Sequence, residues 1–207
     1  ITGAAGQPLV ARLSSGKSAL LAIDREAECN NAKTAGRTGV GPAVIACGPA
    51  DGICVVEWIE GRTFGPADLN DSSQLARVAA LCSRLHRGPR FGNNFDMFAI
   101  QRGYLAVIRD RGFRIPPRYV DFMPQVSRIR TALALRDEGT VPCHNDLLAA
   151  NIMDDGTRIW FIDYEYAGNN DPCFELGNIW SEANLGADRL AELVTYYYGF
   201  PSRAKLT

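Results

Sequence analysis

His144-Asn145-Asp146-Leu147-Leu148-Ala149-Ala150-Asn151 is a polar octapeptide of the pattern H-x-D-L-x-x-x-N, entered from the short apolar run Val141 to Cys143. It leads into two short strands, Asn151 to Met153 and Arg158 to Ile162, around the turn Asp154-Asp155-Gly156, a hairpin signal. Asp163 ends the second strand, seventeen residues after Asp146. A carboxylate can accept or orient a hydroxyl proton, and a carboxylate with an amide oxygen suits magnesium, which prefers hard oxygen ligands. The hairpin folds the chain back, so Asn151 and Asp163 can approach one ion. Singly, Asp146 and Asn151 also suit turns, and Asp163 also suits a cap. The order of the whole set carries the meaning.

Upstream, Pro8 to Leu13 predicts a strand with proline at its first position. Ile23 to Ala35 predicts a helix capped by Asp24, broken by Gly36, Gly39, Gly41 and Pro42. Ala43 to Cys47 and Ile53 to Ile59 predict strands around the turn Pro49 to Gly52. The polar segment from Glu60 to Ser73 reads as a connector. Helices are predicted over 72–87, where Leu75, Val78, Cys82 and Leu85 share a face, and over 97–112 and 125–136. Downstream, a helix starts at Asp171-Pro172, and another covers Leu190 to Tyr198. The order predicts an α+β fold of two lobes, a small antiparallel sheet lobe over 1–61 and a mainly helical lobe over 62–207, with the ligand in the cleft between them.

The 207 residues are 46% hydrophobic and 22% charged, enough to bury a core. The net charge of −1 gives no electrostatic case for a nucleic-acid partner. No run is apolar enough to span a membrane, and no signal peptide is visible at Ile1 to Gly6, so no membrane partner and a cytoplasmic location are expected. Six cysteines at irregular spacings, with no C-x-x-C, fit neither a zinc site nor a disulfide framework, and reduced thiols are expected.

The octapeptide matches the catalytic-loop pattern of kinases. Together with Phe161-Ile162-Asp163-Tyr164-Glu165-Tyr166-Ala167-Gly168, it resembles the choline/ethanolamine kinase family, part of the aminoglycoside-phosphotransferase-like group with a protein-kinase-like fold. Further similar segments are 23–28, 39–42, 58–61 and 171–177. The resemblance implies an ATP- and magnesium-dependent transfer of the γ-phosphoryl group to a hydroxyl of choline, ethanolamine or a similar amino alcohol. An aminoglycoside-type phosphotransferase and a non-catalytic relative that binds a nucleotide or a cationic metabolite are the alternatives.

By this resemblance Asp146 is the catalytic base and Asn151 and Asp163 hold the metal. Arg12 sits over the ATP phosphates with Glu28 as its helix partner, although an ordinary surface pair gives the same residue types. Glu57 to Ile59 forms the hinge whose backbone meets adenine. Glu165, two residues after Asp163, falls on the same face of a strand and is a candidate for the metal or the acceptor's positive charge. Trp180, with Tyr196, Tyr197 and Tyr198, either cages a quaternary ammonium or packs in the core. His144, Asp171 and Glu175 brace the loop. Two departures stand out. Only Gly3 and Gly6 precede the Arg12 strand, leaving little room for a glycine-rich phosphate loop, and relatives continue into further C-terminal helices beyond the equivalent of Thr207. A fragment and absent mobile segments are both compatible with this, and the oligomeric state is open, a homodimer included.

Overall fold

The computed structural model describes residues 1–14, 18–135 and 139–205. Strand β1 (Leu9–Leu13) is followed by helix α1 (Arg25–Arg37), then β2 (Val44–Gly48) and β3 (Ile53–Glu57), and the three strands form an antiparallel sheet in the order β1-β3-β2. Asp24 caps α1 as predicted, accepting from the N–H groups of Glu26 and Ala27 and satisfying two otherwise orphan donors. The β2–β3 turn is one tight 3-10 turn, Pro49–Asp51, closed by Gly52 at φ 66°, where a side chain would be strained. Register places Arg12 and Cys47 opposite Cys54 on either side of it, so the three side chains share one face of the sheet.

Two findings correct the sequence reading here. The segment before β1 is a hairpin: Ile1 and Leu9 exchange backbone hydrogen bonds, Thr2 bridges Pro8, and Gly3 bonds to Gln7 and Gly6 around a turn in which Gly6 has φ 82°. The turn through Gly3 and Gly6 is thus the tip of a backbone-paired hairpin that leads into β1. The thiols are not all reduced either. Cys29 on α1 and Cys47 on β2 form a disulfide, because the packing of α1 on the sheet brings residues 18 apart to a Cα–Cα distance of 6.2 Å.

The predicted connector carries short elements: β4 (Arg62–Thr63) and α2 (Pro66–Leu69). Then come α3 (Ser72–His86), α4 (Met97–Arg111), α5 (Met123–Ala134), β5 (Val141–Cys143), β6 (Ile152–Asp154), β7 (Ile159–Phe161), β8 (Gly168–Asn170), α6 (Pro172–Glu182) and α7 (Ala187–Tyr198). β4, β6 and β7 form a second antiparallel sheet, and β5 pairs with β8. Leu75, Val78, Cys82 and Leu85 are all buried, and they share the core with Leu147, Ile152, Phe161, Leu176, Ile179 and Leu193. Each such aliphatic side chain contributes about 1.5–3 kcal/mol by leaving water. This core lies directly beneath the octapeptide and its hairpin. The two halves of the chain meet where the Phe161 N–H donates to the Val40 carbonyl, and Gly41 passes so close to Tyr164 that a Cβ there would lie 2.8 Å from the ring. No described helix is long and apolar enough to cross a membrane.

Candidate functional site

The octapeptide is held from below by one carboxylate. Glu175, on the first turns of α6 and fully buried, accepts from the His144 N–H at 3.0 and 2.9 Å through its two oxygens and pairs with His86 Nε2 at 2.9 Å. Burial pushes its carboxyl up, but the His86 ring and the His144 N–H outweigh that and hold it below the usual carboxylate range. His144 is itself buried and its Nε2 donates to the Ile162 carbonyl at 2.9 Å, tying the loop to the end of the hairpin. Both residues are thus hydrogen-bonded to backbone atoms of the loop or of the hairpin end. Asp171 caps α6, its side chain accepting from the Cys173 N–H at 2.8 Å, with Pro172 at the first helical position.

Above this brace the backbone turns sharply. Asn145 has φ 67°, a conformation that asparagine tolerates better than most residues. Its amide nitrogen donates to the carbonyls of Cys143, Tyr166 and Gly168, and its oxygen accepts from Asn170. The Leu147 N–H donates to Asn178 Oδ1 at 2.7 Å. The result aims Asp146 away from the core, half-buried. Asn151 folds back on it, its amide nitrogen donating to the Asp146 carbonyl at 2.8 Å and to Oδ2 at 3.3 Å. Burial first, and the nearby charge of Asp163 as well, raise the Asp146 carboxyl above its ordinary value, against the opposing effects of His144 and Asn151.

Asp163 lies beyond β7, at φ 68°, and so is not the last residue of a strand. This overturns the strand argument for Glu165, since the left-handed backbone at Asp163 leads into a turn closed by the Ala167 N–H on the Tyr164 carbonyl, where residues two apart share no face. Glu165 nevertheless reaches the same cluster through charge, 3.3 Å from Arg25 Nη1 and 3.9 Å from Arg12 Nη1. Arg12 is the centre of that cluster: its guanidinium pairs with Glu28 of α1 and donates to Asp163. Arg25 adds a second guanidinium, 2.6 Å from Glu28. Sequence reading missed Arg25, although its i, i+3 spacing to Glu28 was an available signal.

The cluster opens on a cavity of about 350 Å³ between the first sheet and the hairpin. Its wall is mostly apolar, with Val10, Ala32, Val56, Met153 and Ile162, and Glu57, Trp58 and Ile59 also line it. Arg12, Glu28 and Asp163 are the charged residues on the same wall beside Glu57. The Glu57 side chain is already engaged, accepting from the Ala43 N–H at 2.9 Å. Trp180 is not part of this wall: it lies on α6, 38% exposed, and its carbonyl accepts from Leu185. Tyr197 and Tyr198 pack against the core, and Tyr197 bonds to His86 at 2.7 Å. Tyr196 instead meets Ser72 at 2.7 Å. The hairpin is pinned independently, by a bidentate Arg77–Asp154 pair at 2.7 and 3.0 Å and by Asp155, whose carboxyl is held down to about 2 by the N–H of Arg158 and the Trp160 indole.

The sequence profile described as choline/ethanolamine kinase matches residues 6–192. Protein LicA of Haemophilus influenzae is 30% identical over 182 residues, covering 84% of this chain and 66% of LicA. Mouse ethanolamine kinase 2 is 29% identical over 178 residues, 81% of this chain and 45% of that enzyme. The chain thus spans about half to two thirds of the length of these relatives. Among solved structures, the choline/ethanolamine kinase family protein from Mesorhizobium loti superposes with a TM-score of 0.82 at 30% identity, over 96% of this chain and 66% of that one.

Proposed function

The chain belongs to the choline/ethanolamine kinase family, and from that premise we propose that it transfers the γ-phosphoryl group of ATP to the hydroxyl of a small amino alcohol, with choline or ethanolamine as the first candidates. The observation that carries the reading is the Arg12 node, one guanidinium bonded both to Glu28 and to Asp163 in the wall of an apolar cavity whose volume suits a nucleotide base. Adenine enters the apolar part against the backbone of Glu57 to Ile59, and Arg12 meets the phosphates.

The donor set fits magnesium. Asn151 commits its amide nitrogen to Asp146, which leaves its oxygen as the ligand atom, and Asp163 already carries a cation in the Arg12 guanidinium. The nearby charge of Asp163 adds to the cost of ionising Asp146, a repulsion that a divalent cation relieves. When bound, magnesium neutralises charge on the phosphates. The remaining work belongs to the chain's own residues. Asp146 orients the acceptor hydroxyl and takes its proton, and its raised proton affinity moves it towards the range in which a base is effective. The brace from Glu175 through the His144 N–H keeps that carboxylate in place.

ADP release tests the reading, measured with Mg-ATP against choline, ethanolamine, thiamine and an aminoglycoside. Turnover with an amino alcohol, lost in Asp146→Ala while nucleotide binding by calorimetry persists, is the expected result. Turnover only with the aminoglycoside moves the acceptor class. Nucleotide binding with no transfer to any of the four favours a non-catalytic relative and overturns the proposal.

A further inference from the structure

Glu175 also meets His86, the last residue of α3, and beyond His86 stands Tyr197 near the end of α7. The Tyr197 hydroxyl lies 2.7 Å from His86 Nδ1, and His86 Nε2 lies 2.9 Å from Glu175 Oε2. Glu175 in turn accepts from the N–H groups of His144 and Asn145. A file of hydrogen bonds thus runs from α7 through α3 and α6 to the backbone of the octapeptide, and His86 and Glu175 in it are buried. The file has a direction. Glu175 is held below the usual carboxylate range, so at neutral pH it is ionised and only accepts. The Nε2 proton is therefore on His86, and Nδ1 is left to pair with the Tyr197 hydroxyl. Cys143 packs against the same Nε2 at 3.6 Å, and burial keeps it as the thiol.

Filling space does not call for these groups, because an imidazole and a hydroxyl lose hydration in a core where apolar side chains of similar size lose none. What the pair supplies is orientation. Burial pushes the Glu175 carboxyl up, and the His86 bond is the largest influence against it. Without that bond one carboxyl oxygen is expected to carry a proton, which sets a donor against the His144 N–H. The effect reaches Asp146 by a short path. Asp146 lies two residues after the amide that Glu175 holds and one before the Leu147 amide that Asn178 holds. Glu175 and Asn178 are three apart on α6, so they present two acceptors from one face.

We propose that His86 and Tyr197 are positioning residues for the transfer step, orienting Asp146 through Glu175 without touching the substrate. The inference rests on the phosphoryl-transfer reading. Neither residue is among those that line the cavity, so nucleotide binding is expected to be indifferent to them. A second tie between α3 and α7 bypasses Glu175: the Ser72 hydroxyl meets Glu192 and Tyr196 at 3.0 and 2.7 Å. It provides the control for a merely structural role.

Steady-state kinetics of the full chain with Mg-ATP and the four acceptors named above tests this, with calorimetry for nucleotide binding. His86→Leu is expected to lower kcat about 10–100-fold, the effect of a misplacement on the order of 1 Å. Tyr197→Phe keeps the ring, and is expected to lower kcat about two- to tenfold, the share of one neutral hydrogen bond. KM and Kd for Mg-ATP are expected to be unchanged in both. His86→Gln, whose amide still donates to Glu175, is expected to recover much of the loss, and Ser72→Ala to leave kcat as it is. In an Asp146→Asn background the Tyr197→Phe effect is expected to vanish, because no base is left to orient. Tyr197→Phe carries the test by itself where circular dichroism shows His86→Leu to be misfolded. An active parent whose kcat is matched by Tyr197→Phe overturns the inference and leaves the phosphoryl-transfer reading standing. A loss of equal size in Ser72→Ala, or one that persists in full beside Asp146→Asn, also overturns it, since either marks a general loosening of the fold. A parent without turnover on any of the four acceptors overturns both.

Discussion

Arg12 on β1 and Asp163 beyond β7 are bonded to each other across 151 positions of sequence, and the same guanidinium holds Glu28 on α1. Three separate segments are thus tied at one cation. The Glu28 side chain is nearly buried, so removing Arg12 leaves that carboxylate paired, among the described residues, with Arg25. Arg12→Ala is expected to raise KM for Mg-ATP by about ten- to a hundredfold, the effect of one or two charge-assisted hydrogen bonds at about 1.5–3 kcal/mol. Steady-state kinetics at saturating acceptor checks this. An unchanged KM would remove Arg12 from the nucleotide site.

Glu175 gives a stability prediction with a definite sign. Its folded carboxyl lies below the ordinary value, so its contribution is present at pH values above the unfolded carboxylate range and is lost as pH falls through the folded one. Glu175→Ala takes the carboxylate away from His86 Nε2 and from the His144 N–H in a dry environment, at a cost of about 3–5 kcal/mol. For a chain of this size that is roughly 6–20 °C in melting temperature. Glu175→Gln keeps one accepting oxygen and is expected to fall between the two. Thermal melts of the three proteins at neutral pH and at mildly acidic pH check this, and the gap between parent and Glu175→Gln is expected to narrow in acid.

Asp146 behaves oppositely. Its carboxyl is raised, so the folded state is favoured below the unfolded carboxylate range and loses that advantage as pH rises through the folded value. At neutral pH the ionised side chain is therefore a burden on the fold that the proposed chemistry requires. Asp146→Asn is expected to raise the melting temperature at pH 7 and to lower kcat by about 10²–10⁴. The gain in melting temperature is expected to shrink in acid, where the parent carboxyl is protonated. A variant that is neither stabilised nor inactive would contradict both halves of the argument.

Much of this was legible in the sequence wherever a local rule fixes the geometry. Asp24 and Asp171-Pro172 mark helix starts because orphan N–H groups need an acceptor there, and the period of Leu75, Val78, Cys82 and Leu85 marks the face of α3 that is buried. The octapeptide was legible because its residue types are set by chemistry. The strands Arg62–Thr63 and Gly168–Asn170 were not, since they are too short to show a period, have no flanking turn signal of the kind that marks the Asp154–Gly156 hairpin, and are held by pairing alone. Glu165 was misplaced for a related reason. Its two-residue offset from Asp163 has meaning only on a strand, and the positive φ of Asp163 ends the extended backbone. The hairpin at Ile1 to Leu9 was undervalued because the pairing is made by backbone atoms, which leave no side-chain signature.

Two neighbouring residues of α1 are tied to the two outer strands of the first sheet: Glu28 to β1 by Arg12, and Cys29 to β2 by the disulfide to Cys47. The sulfur link closes a loop with a sequence separation of 18, for which chain entropy in the unfolded state is worth about 3 kcal/mol. Reduction by dithiothreitol, or Cys47→Ser, is expected to lower the melting temperature by roughly 6–12 °C. In the reduced protein α1 is held to the sheet by packing and the Arg12 pair, so KM for Mg-ATP is expected to rise more steeply in the Arg12→Ala, Cys47→Ser double variant than the product of the single effects predicts. Peptide mapping without reductant identifies the Cys29–Cys47 link directly, and the double-variant cycle measures the coupling. Strict additivity would show that the two ties act on α1 independently.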